Sequence, residues 1–238
     1  MCWSFPGRVT GQPDKPVSDN AAMSDHYFSE APTGEARPRE VTFMVAGRVY
    51  RLTAAAGVFS GDRLDPGTAV LLRKAPLPGP RGGTYLDLGC GYGPIACVLA
   101  DASPSTTVYA VDVNRRALDL VRRNADAIGV GDRIIAVTAD EVPDGIQFDE
   151  IWSNPPIRIG KDGLHTLLQH WLPRLAPDGA AWLVVARHLG ADSLQAWLEG
   201  VGWTVERFAA QKGFRVLRVS ASTAAERTVQ NRRDIPPA

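Results

Sequence analysis

The feature that most constrains the fold is a regular alternation of β-rich and helical runs between residues 84 and 220. Period-two alternation of β-branched and aromatic residues predicts strands, and apolar residues three or four apart predict helices. The predicted strands are Thr84–Leu88, Thr107–Asp112, Arg133–Thr138, Phe148–Trp152, Ala180–Ala186, Trp203–Ala209 and Phe214–Ser220. The predicted helices are Pro94–Ala102, a run that Asn114 caps, Leu164–Leu175 and Ser193–Glu199. This alternation implies a parallel sheet with helices on both faces.

Both ends of this region add short antiparallel elements. The last two predicted strands turn at Lys212-Gly213, and so short a connection can join only antiparallel strands. Upstream, the runs Val41–Ala46 and Arg48–Thr53 flank Gly47 and predict a hairpin, and Pro66–Lys74 predicts a short helix. The predicted fold class is therefore α/β, with a doubly wound, mostly parallel seven-stranded sheet, an antiparallel C-terminal hairpin and a small N-terminal β-hairpin.

The chain of 238 residues is long enough for one such domain. Residues 1–22 lack hydrophobic periodicity and predict a disordered leader, and Met23 heads the first patterned stretch. We expect one catalytic domain over residues 23–221, with the hairpin and helix in 23–80 and the core in 81–221. The polar residues 222–238 predict a disordered tail.

A glycine-rich loop follows the first parallel strand, in the sequence Leu-Asp-Leu-Gly-Cys-Gly-Tyr-Gly-Pro (86–94). Ligands of open α/β sheets bind at this carboxyl edge of the strands. Pro94 stands where a dinucleotide fingerprint has its third glycine, and it removes an N–H that a pyrophosphate would use. The loop therefore favours a ligand without phosphate, with a tight turn that binds nothing as the alternative.

Two aspartates end the next strands. Asp112 could accept hydrogen bonds from both hydroxyls of a ribose, or it could cap the following helix. Asp140 could accept from an adenine amino group, or it could be a solvated turn residue.

The run Ser-Asn-Pro-Pro (153–156) ends a strand at the same predicted edge. An Asn side-chain oxygen and a prolyl carbonyl supply two acceptors that can hold the two hydrogens of a planar amine. Such a grip turns the nitrogen lone pair towards an electrophile, so that catalysis is mainly positioning. The alternative is a rigid turn that only leads into the next helix.

Together these motifs resemble the class I S-adenosylmethionine-dependent methyltransferases, which have a Rossmann-like sheet. More narrowly they resemble the small-domain group that includes ribosomal RNA guanine-N2 methyltransferases. His-Tyr-Phe-Ser (26–29), Gly-Val-Phe-Ser (57–60) and Leu-Asp-Pro-Gly-Thr (64–68) also resemble segments of that group, and the resemblance covers about residues 26–220. It implies S-adenosyl-L-methionine as the cofactor.

The resemblance also implies the site residues. The expected catalytic residues are Asn154, Pro155 and Pro156, with Asn154 and Pro155 as acceptors of the substrate amine. The expected cofactor-binding residues are Phe59, Asp87, Gly89, Cys90, Gly91, Gly93, Asp112, Val113, Asp140 and Asn154. Ile157 departs from the Phe or Tyr of many members, so we expect Tyr27, Phe28 or Phe59 to stack on the substrate instead.

Charge limits the kind of partner. Lysine plus arginine and aspartate plus glutamate both number 26, so any RNA contact must come from a local patch. Arg158 and Lys161 follow the Asn-Pro-Pro run, where phosphate contacts are expected. Other basic candidates are Arg37, Arg39, Arg48, Arg51, Arg63, Lys212 and Arg215.

Cysteine and histidine usage points away from other chemistries. The three cysteines lack metal-ligand spacing and suit a reducing cytoplasm, and none lies near Asn154 as a cytosine-C5 methyltransferase would require. The four histidines are scattered, so we expect no metal site. We also expect no membrane contact, and a monomer or weak homodimer.

Three functions remain open at this point. The first is methylation of an RNA base amine, most specifically N2 of guanine in ribosomal RNA. The second is methylation of another amide or amine, such as a protein glutamine. The third is a non-catalytic binding module, against which the intact Asn154 argues.

Overall fold

The computed structural model describes residues 38–58, 63–156 and 159–222. The predicted leader, Tyr27, Phe28 and Phe59 lie outside these ranges. Ile157, Arg158 and the chain beyond residue 222 also lie outside them.

Two antiparallel strands open the described chain, β1 (Pro38–Val45) and β2 (Arg48–Ala55), with Val45 opposite Arg48 at the turn. This is the predicted N-terminal hairpin, and each of its strands is slightly longer than the sequence pattern indicated. Helix α1 (Pro66–Lys74) follows with the predicted bounds.

The main sheet has seven strands in the order β5-β4-β3-β6-β7-β9-β8. Strands β3 to β7 run parallel, and β8 and β9 are antiparallel to their neighbours, as predicted. The strands are β3 (Gly83–Leu88), β4 (Thr106–Val111), β5 (Ile134–Val137), β6 (Phe148–Ser153), β7 (Leu175–Ala186), β8 (Trp203–Gln211) and β9 (Phe214–Ala221). The order reverses between β3 and β6, and that switch point is where open α/β sheets bind ligands.

Helices cover both faces of this sheet. The remaining helices are α2 (Pro94–Ala102), α3 (Arg115–Ala127), α4 (Gly160–Trp171) and α5 (Ala191–Gly200). In the described ranges, α1, α2, α3 and the N-terminal hairpin share one apolar core, and α4 and α5 share the core on the opposite face. Apolar strands buried on both sides, such as β7, follow from this arrangement.

Asn124 of α3 fixes the hairpin to the sheet. Its side-chain oxygen accepts a hydrogen bond from the Thr53 backbone N–H (2.7 Å). Its amide nitrogen donates to the Thr53 carbonyl (2.9 Å) and to the Tyr92 carbonyl (2.8 Å). One buried side chain therefore connects β2 to the glycine loop, residues 89–93 between β3 and α2.

The prediction was wrong about the end of one helix. The sequence pattern extended the helix from Leu164 to Leu175, whereas α4 runs Gly160–Trp171, a 3₁₀ turn covers Leu172–Arg174 and β7 begins at Leu175. The cause is Pro173, which has no N–H for the helical ladder and whose ring clashes with the preceding turn.

Candidate active site

The glycine loop is folded back over the end of β4. The backbone N–H groups of Gly89 and Cys90 both donate to the Val111 carbonyl, at 2.8 and 3.0 Å, and the Gly93 N–H donates to the Cys90 carbonyl at 2.9 Å. Two neighbouring strands and the loop are thereby held as one unit.

Two glycines of the loop serve different purposes. Gly91 has a φ of +55°, and a Cβ built there would meet nothing within 4 Å, so the space beside it is open to a ligand. Gly93 has a φ of +90°, and a Cβ there would lie 3.1 Å from Cγ2 of Val121 on α3. Packing of α2 against α3 thus accounts for Gly93 without any cofactor contact.

Asp87 lies beneath the loop. Its side chain is fully buried, and Oδ2 accepts a hydrogen bond from the Ala96 N–H (2.9 Å) in the first turn of α2. Oδ1 has no hydrogen-bond partner among the described residues. Burial raises the pKa of Asp87 to about 8, although the hydrogen bond from Ala96 acts in the opposite direction. Asp87 therefore connects the end of β3 to the first turn of α2.

Asp112 holds the loop from the side. Its Oδ2 accepts from the Gly91 N–H (3.0 Å) and its Oδ1 from the Asn114 N–H (2.9 Å). Burial raises its pKa, while these backbone hydrogen bonds oppose the shift. The carboxylate is partly exposed beside Val113, whose side chain is 52% exposed. Both residues can still contact a ligand in the loop.

Asp140 lies at the end of the adjacent strand. Val111 pairs with Val137, so the loops that carry Asp112 and Asp140 emerge side by side. Asp140 is exposed in a 3₁₀ turn over Ala139–Glu141, and the Thr138 side-chain hydrogen bond lowers its pKa. Its carboxylate is therefore charged and available at this edge.

The reaction loop, residues 154–156, packs against the glycine loop. The Ser153 hydroxyl donates to the Leu88 carbonyl (2.7 Å), which joins the ends of β6 and β3. A Cβ built on Gly89 would meet Cδ of Pro156 at 3.9 Å. Pro156 in turn accepts a hydrogen bond from the Ile159 N–H (3.0 Å) ahead of α4. The two loops that were predicted to share an edge are in direct contact.

The side chain of Asn154 has a defined orientation. Its amide nitrogen donates to Oδ1 of Asp65 (2.6 Å) and to the Thr68 hydroxyl (3.1 Å). An amide has two N–H donors, and these two contacts occupy both. The side-chain oxygen is the polar atom that remains for a ligand. Sequence reasoning noted the Leu-Asp-Pro-Gly-Thr segment but gave Asp65 and Thr68 no role.

A small cavity joins the two loops. It brings together the predicted residues Gly89, Cys90, Gly91 and Asn154, and it adds residues that the sequence did not assign. The added lining residues are Asp65, Thr68, Tyr92, Pro94 and Ile95. The predicted residues that do not line it are Asp87, Gly93, Asp112, Val113, Asp140, Pro155 and Pro156. Asn154 and its two hydrogen-bond partners, Asp65 and Thr68, thus line one cavity together with the glycine loop.

Other side chains near the loop are neutral. Burial raises the pKa of the Cys90 thiol, and Cys90 and Cys97 are both buried and unpaired. Tyr92 is also buried, and its hydroxyl has no hydrogen-bond partner in the described part of the chain. Within the described ranges, no group of three or more His, Cys, Asp or Glu residues is arranged to hold a metal ion. None of the described helices is both long and apolar enough to cross a bilayer.

A family model and several relatives match this chain. The model named "Methyltransferase small domain" matches residues 49–218. The "Uncharacterized protein YbxB" of Bacillus subtilis is 32% identical over 198 residues, which are 82% of this chain and 98% of that protein. The "Ribosomal RNA small subunit methyltransferase C" of Acinetobacter baumannii is 34% identical over 157 residues, 62% of this chain and 45% of that protein.

A solved structure supports the fold. It is a Thermus thermophilus 16S rRNA N2-guanine methyltransferase in complex with AdoMet and guanosine. The TM-score is 0.64 and the identity 23%, over 81% of this chain and 52% of that chain. The chain therefore spans about half the length of these rRNA methyltransferases but nearly all of YbxB.

Proposed function

The chain belongs to the methyltransferase small domain family and is an S-adenosylmethionine-dependent methyltransferase, and we propose that its substrate is the exocyclic N2 of a guanine in ribosomal RNA. The observation that carries this proposal is the orientation of Asn154, whose side-chain oxygen is left as an acceptor beside the glycine loop.

The glycine loop fits the cofactor. The open space at Gly91 admits a ligand close to the backbone, and the partly exposed Asp112 can accept hydrogen bonds from ribose hydroxyls. Asp140 and the exposed Val113 would flank the adenine end. When bound, S-adenosylmethionine supplies a sulfonium methyl group as the electrophile.

The reaction loop fits a planar amine. The Asn154 oxygen accepts one N–H of the substrate amine, and the Pro155 carbonyl accepts the other. Holding both hydrogens turns the nitrogen lone pair towards the glycine loop. As the N–CH3 bond forms, the S–CH3 bond would break to leave a neutral thioether, and the nitrogen would release one of its two protons. The chain thus contributes mainly by positioning the amine for in-line transfer.

Charge at the carboxyl edge favours a polyanionic substrate on one side. Four exposed basic residues lie around the ends of β6, β7 and β9, and we call them the basic half. They are Lys161, Arg187, His188 and Lys212. The Arg187 N–H donates to the Gly213 carbonyl (2.8 Å), which places Arg187 beside the turn that carries Lys212. Such side chains suit contacts with RNA phosphates.

The other end of the same edge has the opposite character. Asp112, Asp140 and Glu141 lie at the ends of β4 and β5, where the cofactor would be held. Arg115 partly offsets the charges of Asp140 and Glu141, so the attraction of phosphates to the basic half is the main effect of charge at this edge. The name of the Acinetobacter relative and the guanosine complex of the Thermus protein support RNA guanine as the target class.

Two of the basic residues that the sequence suggested for RNA contacts form ion pairs with aspartates instead. Arg48 forms an ion pair with Asp101 at the end of α2, on the opposite edge of the sheet. Arg215 is mostly buried and pairs with Asp192. Neither contributes to the basic half.

The test is a methyl-transfer assay with labelled cofactor and the full chain. The acceptors are unmodified ribosomal RNA, assembled ribosomal subunits and a glutamine-bearing protein, followed by nucleoside and peptide analysis of the product. Label on N2-methylguanosine supports the proposal. Label on another base amine replaces guanine with that base, and label only on protein replaces RNA with the amide substrate.

A further inference from the structure

We propose that Asp65 is a positioning residue that fixes the amide of Asn154 so that the site presents an acceptor and accepts amino groups but not carbonyl groups. This inference rests on the proposed function, since it concerns the same transfer site. It assigns a role to Asp65, which precedes the glycine loop in sequence and has no direct part in the proposed transfer step.

The hydrogen bond between Asp65 and Asn154 determines which end of the amide faces the cavity. An Asn side chain has an oxygen end and a nitrogen end of nearly the same shape, so it can present either end. A carboxylate only accepts hydrogen bonds. Oδ1 of Asp65 lies 2.6 Å from Nδ2 of Asn154 and therefore stabilises the orientation in which the nitrogen faces Asp65 and the oxygen is left for the ligand.

Thr68 supplies a second acceptor for the amide nitrogen of Asn154. Its hydroxyl oxygen lies 3.1 Å from Nδ2 of Asn154. Because Oδ1 of Asp65 and the Thr68 hydroxyl both accept from Nδ2, the Asn154 amide nitrogen has no donor left for a substrate. Reversing the amide would place its oxygen against the carboxylate, which is repulsive.

The first turn of α1 holds Asp65 and Thr68 in place. Oδ1 of Asp65 also accepts the Thr68 N–H (3.0 Å), so Asp65 is the N-cap of α1. Pro66 fixes the backbone at the first helical position. A Cβ built on Gly67 would lie 3.0 Å from the Phe214 ring, so this turn is pressed against β9. The orienting group therefore sits on a rigid element.

The chemical consequence is selection by hydrogen-bond polarity. An acceptor next to the reacting atom pairs with an exocyclic amine and is repelled by a carbonyl oxygen. A site that presents an acceptor rejects a substrate group that is also an acceptor, because the polar group of the site would be left without a hydrogen bond. On guanine, this distinguishes the amino group at position 2 from the oxygen at position 6.

The experiment compares variants that separate capping from orientation. Asp65→Ser keeps a side-chain oxygen for the Thr68 N–H, and so keeps the cap, but it is too short to hold Asn154. Thr68→Val removes the second acceptor with little change of shape, and Thr68→Ser retains it. Asp119→Ser, at an exposed position on α3, is the matched control.

Kinetics provide the first measurement. Asp65→Ser should lower kcat about 10- to 100-fold, the scale of one charge-assisted hydrogen bond, with cofactor Kd and RNA KM within about twofold. Thr68→Val should lower kcat less than Asp65→Ser does, Thr68→Ser should lose less activity than Thr68→Val, and Asp119→Ser should stay near the unmodified enzyme. A kcat unchanged in Asp65→Ser, or a matching loss of cofactor affinity, would overturn the inference.

NMR of the ¹⁵N-labelled full chain provides the second measurement. The Asn154 side-chain amide signal is identified by its loss in Asn154→Ala, and it should shift markedly in Asp65→Ser but not in Asp119→Ser. An unshifted signal would overturn the inference. This measurement needs no substrate, so it decides the matter even if the proposed RNA target is wrong. If Asp65→Ser does not fold, Asp65→Thr, which also keeps a capping oxygen and is too short to hold Asn154, gives the same decision.

Discussion

The Ser153 hydroxyl donates a 2.7 Å hydrogen bond to the backbone carbonyl of Leu88. These residues end β6 and β3, the two strands between which the order of the sheet reverses. Both residues are buried, so water does not compete for this hydrogen bond in the folded state. It therefore keeps the reaction loop and the glycine loop in register.

Asn154→Ala should abolish methyl transfer while leaving cofactor affinity nearly intact. Its oxygen contributes chiefly when the amine is held for reaction, so kcat should fall about 100-fold or more, the scale for one preorganised contact at a reacting group. Steady-state kinetics and calorimetry with S-adenosylmethionine check this. Gln169→Ala, at an exposed position on α4, is the control. Near-normal turnover in Asn154→Ala would show that the loop is only a turn.

Asp112→Ala should weaken S-adenosylmethionine binding by about 1–3 kcal/mol, the cost of unpairing hydrogen-bonded groups. The carboxylate would contact the ribose, and it also holds the Gly91 N–H of the loop. Isothermal titration calorimetry measures the change, with Asp119→Ala as an exposed control. An unchanged dissociation constant would remove Asp112 from the cofactor site.

Gly93→Ala should destabilise the fold more than Gly129→Ala. Both residues have positive φ, +90° and +77°, so both substitutions carry backbone strain of about 1–2 kcal/mol. Only the Cβ at position 93 also meets Val121, at 3.1 Å, which should add about 1 kcal/mol or more. Urea unfolding measures both. Equal losses would mean that α2 and α3 can separate without cost.

The buried Asp87 should make stability depend on pH. Its pKa is raised to about 8, whereas an unfolded aspartate titrates near 3.9. Between these values the folded state holds a proton that the unfolded state has released. Stability should therefore fall as pH rises from about 4 to 8, by up to about 1.4 kcal/mol per pH unit.

Asp87→Asn should remove this dependence, because its side-chain oxygen can still accept the Ala96 N–H without a charge. The difference in unfolding free energy between the original chain and the variant, measured at several pH values, isolates the contribution of Asp87. The variant should be relatively most stabilised near pH 8. Parallel curves for the two proteins would contradict the prediction.

Replacing Arg187 and Lys212 together with Ala should raise the KM for RNA and leave cofactor binding unchanged. The slope of log binding constant against log salt should become shallower by about one for each phosphate that the variant no longer neutralises. Arg81→Ala, exposed before β3 at the opposite edge, is the control. If the Arg81 change has the same effect as the double change, RNA does not approach the basic half.

The sequence predicted the sheet and the meeting of the two loops. Alternating strands and helices predicted the sheet, including its antiparallel end, because periodicity reports which face of each element is buried. The glycine loop and Asn154 were predicted to meet because parallel strands present their carboxyl ends at one edge. The structure places Gly89 beside Pro156 as this argument requires.

The contacts that orient these groups were not predictable. Asn124 joins Thr53 to Tyr92, and Asp65 holds Asn154 from 89 residues away. Neither partner leaves a periodic signal, since a hydrogen bond between distant segments depends on packing that the pattern does not encode. The catalytic and cofactor-binding roles of all the predicted site residues stay predictions.

The separation between Asp65 and Asn154 also orders events during protein synthesis. The ribosome adds 89 residues after Asp65 before it reaches Asn154, which takes roughly 4 to 18 s at typical rates. Until β6 emerges, β3 is an unpaired edge strand on that side rather than the centre of a sheet. A nascent chain in that interval exposes a hydrophobic edge, and this is when the protein is most open to misassembly or to a chaperone.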